Sequence, residues 1–145
     1  AMLMEESNDK FTMLCRRILN KGQETAPKAG PLYALTVELE RLADQYKHLT
    51  ESILDIKGDI KIRKDVLDLV KRSNKGLRLF YELYYKFDGE KIVELKNVCL
   101  ETIEDCFKLL RSKPLSLQET IVVFNCINIC DRLYGSVGNI IILNV

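Results

Sequence analysis

Leu35–Ile56 reads LTVELERLADQYKHLTESILDI. Its large apolar residues are Leu35, Leu39, Leu42, Tyr46, Leu49, Ile53 and Ile56, separated by alternating steps of four and three. That spacing keeps them on one face of a single long helix. At about 100° per residue, Glu40, Asp44, His48, Glu51 and Asp55 gather on roughly the opposite face. One helix therefore carries a packing stripe and a separate row of carboxylates.

The segments around it repeat the helical period. Before it, a helix is predicted from about Leu3 to Asn20, with Phe11, Leu14, Cys15 and Ile18 as its inward seam. Gly22 suits the left-handed geometry that stops a helix. The linker Gly22–Pro31 follows, and Pro31 fits a first helical turn, where a missing N–H costs nothing. The quoted helix spans about 31–57; Gly58 breaks it, and Asp59 can cap the next. A third helix covers about 60–87, with Ile62, Val66, Leu69, Ser73, Leu77, Phe80, Tyr84 and Phe87 in its seam. Gly76 marks a place where a neighbouring helix comes close. After Asp88-Gly89 a fourth helix runs to about Ser112, burying Ile92, Leu95, Cys99, Ile103, Cys106 and Leu110, and Pro114 ends it. The last begins at Ser116-Leu117-Gln118-Glu119, a capping box. Its seam is Cys126, Cys130, Leu133, Val137 and Ile140. The fold class expected is all-α: an antiparallel bundle of five long helices joined by short connections. Residues 1–145 form one domain, with two helices of a first repeat at 3–57 and a complete second repeat at 59–145.

Composition bounds the function. At 47% hydrophobic and 30% charged residues, the chain can build a core and is not disordered by composition. A net charge of +1 argues against nucleic acid as the main partner, since phosphate binding needs clustered positive charge. The basic runs Lys57–Lys64 and Lys71–Arg78 are interrupted by apolar residues and read as solvated helix faces. No apolar run is long enough for a membrane span. The five cysteines, Cys15, Cys99, Cys106, Cys126 and Cys130, lie on apolar seams without C-x-x-C spacing. Buried thiols in a reducing, cytoplasmic setting are expected, not a zinc site. Ala1 before Met2 reads as an added residue, so the chain is expected to be a fragment or a tagged product.

The first two helices resemble the last two. Asp9-Lys10-Phe11-Thr12-Met13-Leu14 aligns with Asp105-Cys106-Phe107-Lys108-Leu109-Leu110, and Glu40-Arg41-Leu42 aligns with Asp131-Arg132-Leu133. His48 and Asn139 each stand eight residues after the acid. A duplicated three-helix unit lacking its first helix produces this pattern.

Three E-x-x-x-D pairs occur: Glu5/Asp9, Glu40/Asp44 and Glu101/Asp105. Carboxylates four apart on a helix are neighbours and repel unless a cation lies between them. Two pairs on adjacent helices supply four hard oxygens, suited to iron, manganese, zinc or magnesium. A fourth pair is broken, because Gly135 stands four residues after Asp131. Acidic pairs also occur on plain solvated faces, so both readings stand. The pairs lie off the apolar seams, so any site is on the surface, unlike a di-iron centre inside a bundle. His48, the single histidine, reads as a surface polar contact. No nucleophile–base arrangement or glycine-rich phosphate loop is present, and an enzyme is not expected.

Leu39-Glu40-Arg41-Leu42-Ala43-Asp44 with His48, and Cys130-Asp131-Arg132-Leu133 with Asn139-Ile140, resemble the two signature segments of the PhoU-like family of phosphate-uptake regulators. Asn8-Asp9-Lys10-Phe11 with Arg17 resembles the segment that this family places one helix earlier. His48 stands where asparagine is usual, and Gly135 replaces an aspartate. The resemblance implies an all-helical domain with metal ions on its carboxylate faces. It also implies contacts with a phosphate transporter and a sensor kinase that restrain phosphate import. In archaeal relatives the domain often follows an AbrB-like DNA-binding part. The alternative function is therefore a dimerisation or scaffold module of a transcriptional regulator, with no ligand of its own.

Two expectations follow. The first helix pair leaves apolar surface, to be covered by a homodimer or by docking on the second repeat. If metal binds, Glu5, Asp9, Glu40 and Asp44 hold it, while Glu101, Asp105 and Asp131 form an incomplete set.

Overall fold

The computed structural model describes residues 2–22, 28–54, 62–112 and 114–144, with α1 side chains described from Ser7 to Lys21. These residues form α1 (Met2–Gly22), α2 (Ala29–Leu54), α3 (Lys64–Tyr85), α4 (Gly89–Ser112) and α5 (Leu117–Asn144). The expected Gly58 break, Asp59 cap and Ile56 contact lie outside the described residues. Pro31 sits in the first turn of α2, where its fixed φ is already helical.

α3, α4 and α5 pack mutually as a three-helix unit. α2 lies against α5, and among the described residues α1 contacts α2 alone of the other helices. α2 docks on the second repeat through α5, while the apolar stripe of α1 stays exposed. The five-helix bundle expected from the periodicity is present, and no strand occurs among the described residues.

The seam of α5 holds and that of α4 holds in part, with Ile103 and Leu110 only half-buried. Cys126, Cys130, Leu133, Val137 and Ile140 are buried, as are Ile92, Leu95, Cys99 and Cys106. On α2, Leu35, Leu42 and Leu49 go into the core. Fully burying a leucine contributes about 1.5–3 kcal/mol, so these three alone fix how α2 seats. Leu39, in the same stripe, stays 44% exposed. Its aligned residue on α5 is Cys130, whose thiol lies 3.5 Å from Ser73 of α3. Among the described residues, no helix covers Leu39 as α3 covers Cys130.

α1 departs from its expected seam. Phe11, Leu14 and Ile18 are 67%, 53% and 61% exposed, while Thr12 is buried and Cys15 half-buried. The reason is on α2: the Arg16 guanidinium donates to Glu40 at 2.7 Å and lies 5.8 Å from the centre of the Tyr33 ring. α1 thus packs its small and polar side on the acidic side of α2, and its apolar stripe turns outward.

The aromatic end of α3 also differs. Phe80 is buried beside Leu79 and Leu83, but Tyr84 and Phe87 are exposed, with Tyr81 and Tyr85. The helix ends at Tyr85, so Phe87 falls outside the period that would have turned it inward. Gly76 does sit at a close approach. A β-carbon there would stand 3.3 Å from Leu133 Cδ1 and 3.5 Å from Cys99 Sγ. Gly76→Leu is expected to cost about 1–3 kcal/mol by overpacking, read as a lower denaturation midpoint. Gly76→Ala should be near neutral, since the gain in helix propensity of about 1 kcal/mol opposes the tight contact.

Candidate functional site

Those of the spaced carboxylates whose side chains are described are exposed or half-buried, and basic residues reach two of them. Glu40 is ion-paired with Arg16 across α1 and α2. Asp105 accepts from Arg72 of α3 at 2.8 Å and from Lys108 at 3.3 Å. The Arg72 hydrogen bond, followed by that from Lys108, holds the Asp105 carboxyl below the usual carboxylate range. An arginine thus occupies the electrostatic role that a cation would have had at each of these acids.

Asp9 and Asp44 are half-buried, and Glu101 and Asp131 are exposed. The Glu5 side chain lies outside the described residues, so the four-ligand set proposed for the first repeat is described only as far as Asp9, Glu40 and Asp44. No group of three or more His, Cys, Asp or Glu residues placed to hold a metal ion occurs among the described residues. This includes Glu101, Asp105 and Asp131 of the second repeat. The buried thiols Cys99, Cys106, Cys126 and Cys130 are free. Burial pushes Cys106 up to about 12 and Cys126 up to about 11, so both stay protonated near neutral pH. His48 is exposed on α2, away from any such group.

The two signature segments meet across a groove of about 560 Å³ between α2 and α5. Its walls include Arg41 from α2 and Asp131, Arg132, Gly135 and Asn139 from α5. Glu38 of α2 also lines this groove. It accepts from Arg41 at 2.6 Å and from Arg132 at 3.3 Å, so one carboxylate joins both helices through two aligned arginines. The Arg132 Nε is buried without a hydrogen-bond partner. Space at Gly135 is open, with no atom within 4 Å of a β-carbon built there. Glu38 is absent from the carboxylate pairs that the spacing selects. Its signal in the sequence is only the i,i+3 relation to Arg41, which stabilises a helix surface and names no partner on α5.

The groove is charge-balanced, with two arginines facing Glu38 and Asp131. Its ion pairs join α2 to α5 as a helix–helix clasp. Exposed apolar surface lies elsewhere, on the outward stripe of α1. No family model, curated protein or solved structure matches the chain. No helix among the described residues is long and apolar enough to cross a membrane.

Proposed function

We propose that this protein is a regulator of phosphate uptake that works by protein–protein contact, with the outward face of α1 as its contact surface. The observation that carries the contact role is the exposed stripe Phe11, Leu14 and Ile18 on a helix that, among the described residues, touches only α2. Contiguous large apolar side chains left in water at this level usually mark an interaction site. The resemblance of Leu39–Asp44 and Cys130–Ile140 to the PhoU-like signatures supports phosphate regulation as the setting. The expected partners are a phosphate transporter and a sensor kinase.

Metal binding enters this reading only through Glu5, Asp9, Glu40 and Asp44, and Arg16 would have to release Glu40 first. The contact role does not depend on it. Deleting the gene in its source cells should raise phosphate uptake. The wild-type chain should restore the restraint, and a Leu14→Glu, Ile18→Glu variant should not. Both positions are exposed, so the variant should keep its helical circular dichroism. Uptake unchanged by deletion would overturn the proposal.

A further inference from the structure

We infer that α1 docks an acidic amphipathic helix of a partner protein. The inference rests on the contact role proposed for α1 and adds the chemistry of what binds there. Phe11, Leu14 and Ile18 stand at i, i+3 and i+7 and make a stripe one helix wide. On one edge of it, roughly 70° around the helix at about 100° per residue, run Arg17 and Lys21. Both are exposed and neither pairs with a described residue, whereas Arg16, on the other side of α1, is taken up by Glu40. Lys10 lies on the same edge and already has an interaction. The stripe is therefore apolar with a basic rail, and a matching surface is apolar with an acidic rail.

The stripe fits a helix as its occupant, because anchors at i, i+3 and i+7 form a single row one helix wide, the pattern by which two amphipathic helices meet.

A second copy fits less well. Antiparallel pairing of two α1 stripes lays one basic rail along the other, and like charges so placed repel. A lipid surface fits less well too. An interfacial helix carries cations along both edges of its apolar face. Here the opposite edge is Cys15 and Asn8, both half-buried toward α2.

The test uses the full chain and two synthetic helical peptides of about 21 residues, three heptads with leucine at the core positions. One carries glutamate at the flanking positions and the other lysine. Fluorescence anisotropy should show the glutamate peptide binding roughly tenfold tighter than the lysine peptide at low salt, with the gap closing near 1 M salt. Leu14→Glu should weaken glutamate-peptide binding by about tenfold or more. An Arg17→Glu, Lys21→Glu variant should reverse the preference, a result that a loss of folding would not give. Equal binding of the two peptides by the wild type overturns the inference. So does a homodimer in sedimentation that Leu14→Glu abolishes, or binding to phosphatidylserine vesicles with no binding to either peptide. If no peptide binds while the uptake phenotype persists, the partner assignment fails and the regulatory reading stands. If the peptides discriminate but deletion leaves uptake unchanged, the reverse holds.

Discussion

Leu133→Ala should destabilise the protein by about 3–4 kcal/mol, within the range for truncating a buried leucine. Leu133 is fully buried in α5 and belongs to the core cluster that joins α2, α3, α4 and α5. Its Cδ1 lies against Gly76, at the point where α3 comes closest because no side chain intervenes. The gap left by truncation is bounded there by helix backbone, which cannot swing in as a side chain can. Such poor collapse places a site in the upper part of the range. Against a total stability of about 5–15 kcal/mol, this is a large fraction. Leu39→Ala is the matched control. Leu39 is 44% exposed, and its loss should cost under about 1 kcal/mol. Guanidinium unfolding should show a large fall in midpoint for Leu133→Ala at unchanged slope, and almost none for Leu39→Ala. Equal shifts would mean that α2 is covered by something other than water.

Glu119→Ala should cost about 2–3 kcal/mol, because it removes more than a helix cap. The carboxylate accepts from the Ser116 N–H at 3.0 Å and from its hydroxyl at 3.1 Å. The Ser116 Oγ in turn accepts from the Glu119 N–H at 3.2 Å, which completes the capping box. The other carboxylate oxygen accepts from the Arg63 N–H at 3.1 Å, so Glu119 also ties the start of α5 to the start of α3. The residue is only 6% exposed, and alanine would leave these donors short of partners. A lost cap costs about 1 kcal/mol, and a buried donor left unsatisfied about 1–3 kcal/mol.

The Ser116 N–H bond is the largest cause holding the Glu119 carboxyl below its ordinary value, and burial opposes it. A carboxyl whose folded pKa is depressed stabilises the fold above its unfolded pKa, about 4.3 for glutamate. That contribution is lost as pH falls through the lower folded value. The stability difference between wild type and Glu119→Gln should therefore be full at pH 7 and shrink below about pH 4. Urea unfolding across that range measures it. A gap that stays constant down to the acid limit would show that charge plays no part in the linkage.

The five helices and most of their inward faces follow from local pattern. Periods of three and four place Leu35, Leu42 and Leu49 on one face of α2 and Cys126, Leu133 and Ile140 on one face of α5. Burial follows where packing brings those stripes against other helices. The capping box at Ser116–Glu119 was legible for the same reason, since both its partners lie within one turn. The close approach at Gly76 was legible from the residue type alone.

What tertiary structure decided lies between helices. Phe11, Leu14 and Ile18 have the period of a buried seam, yet they face outward. Periodicity gives the angle of a stripe around its own helix and says nothing about which neighbour stands there. On α1 the Arg16–Glu40 ion pair and the packing of Thr12 set the rotation. Glu38 bridges two helices because Arg132, 94 residues away, arrives beside it. The same holds for Asp105 and Arg72. The acids were visible as i,i+4 pairs, while the basic side chains that reach them come from another helix. A local pattern fixes which groups share a face, and only packing fixes what that face meets.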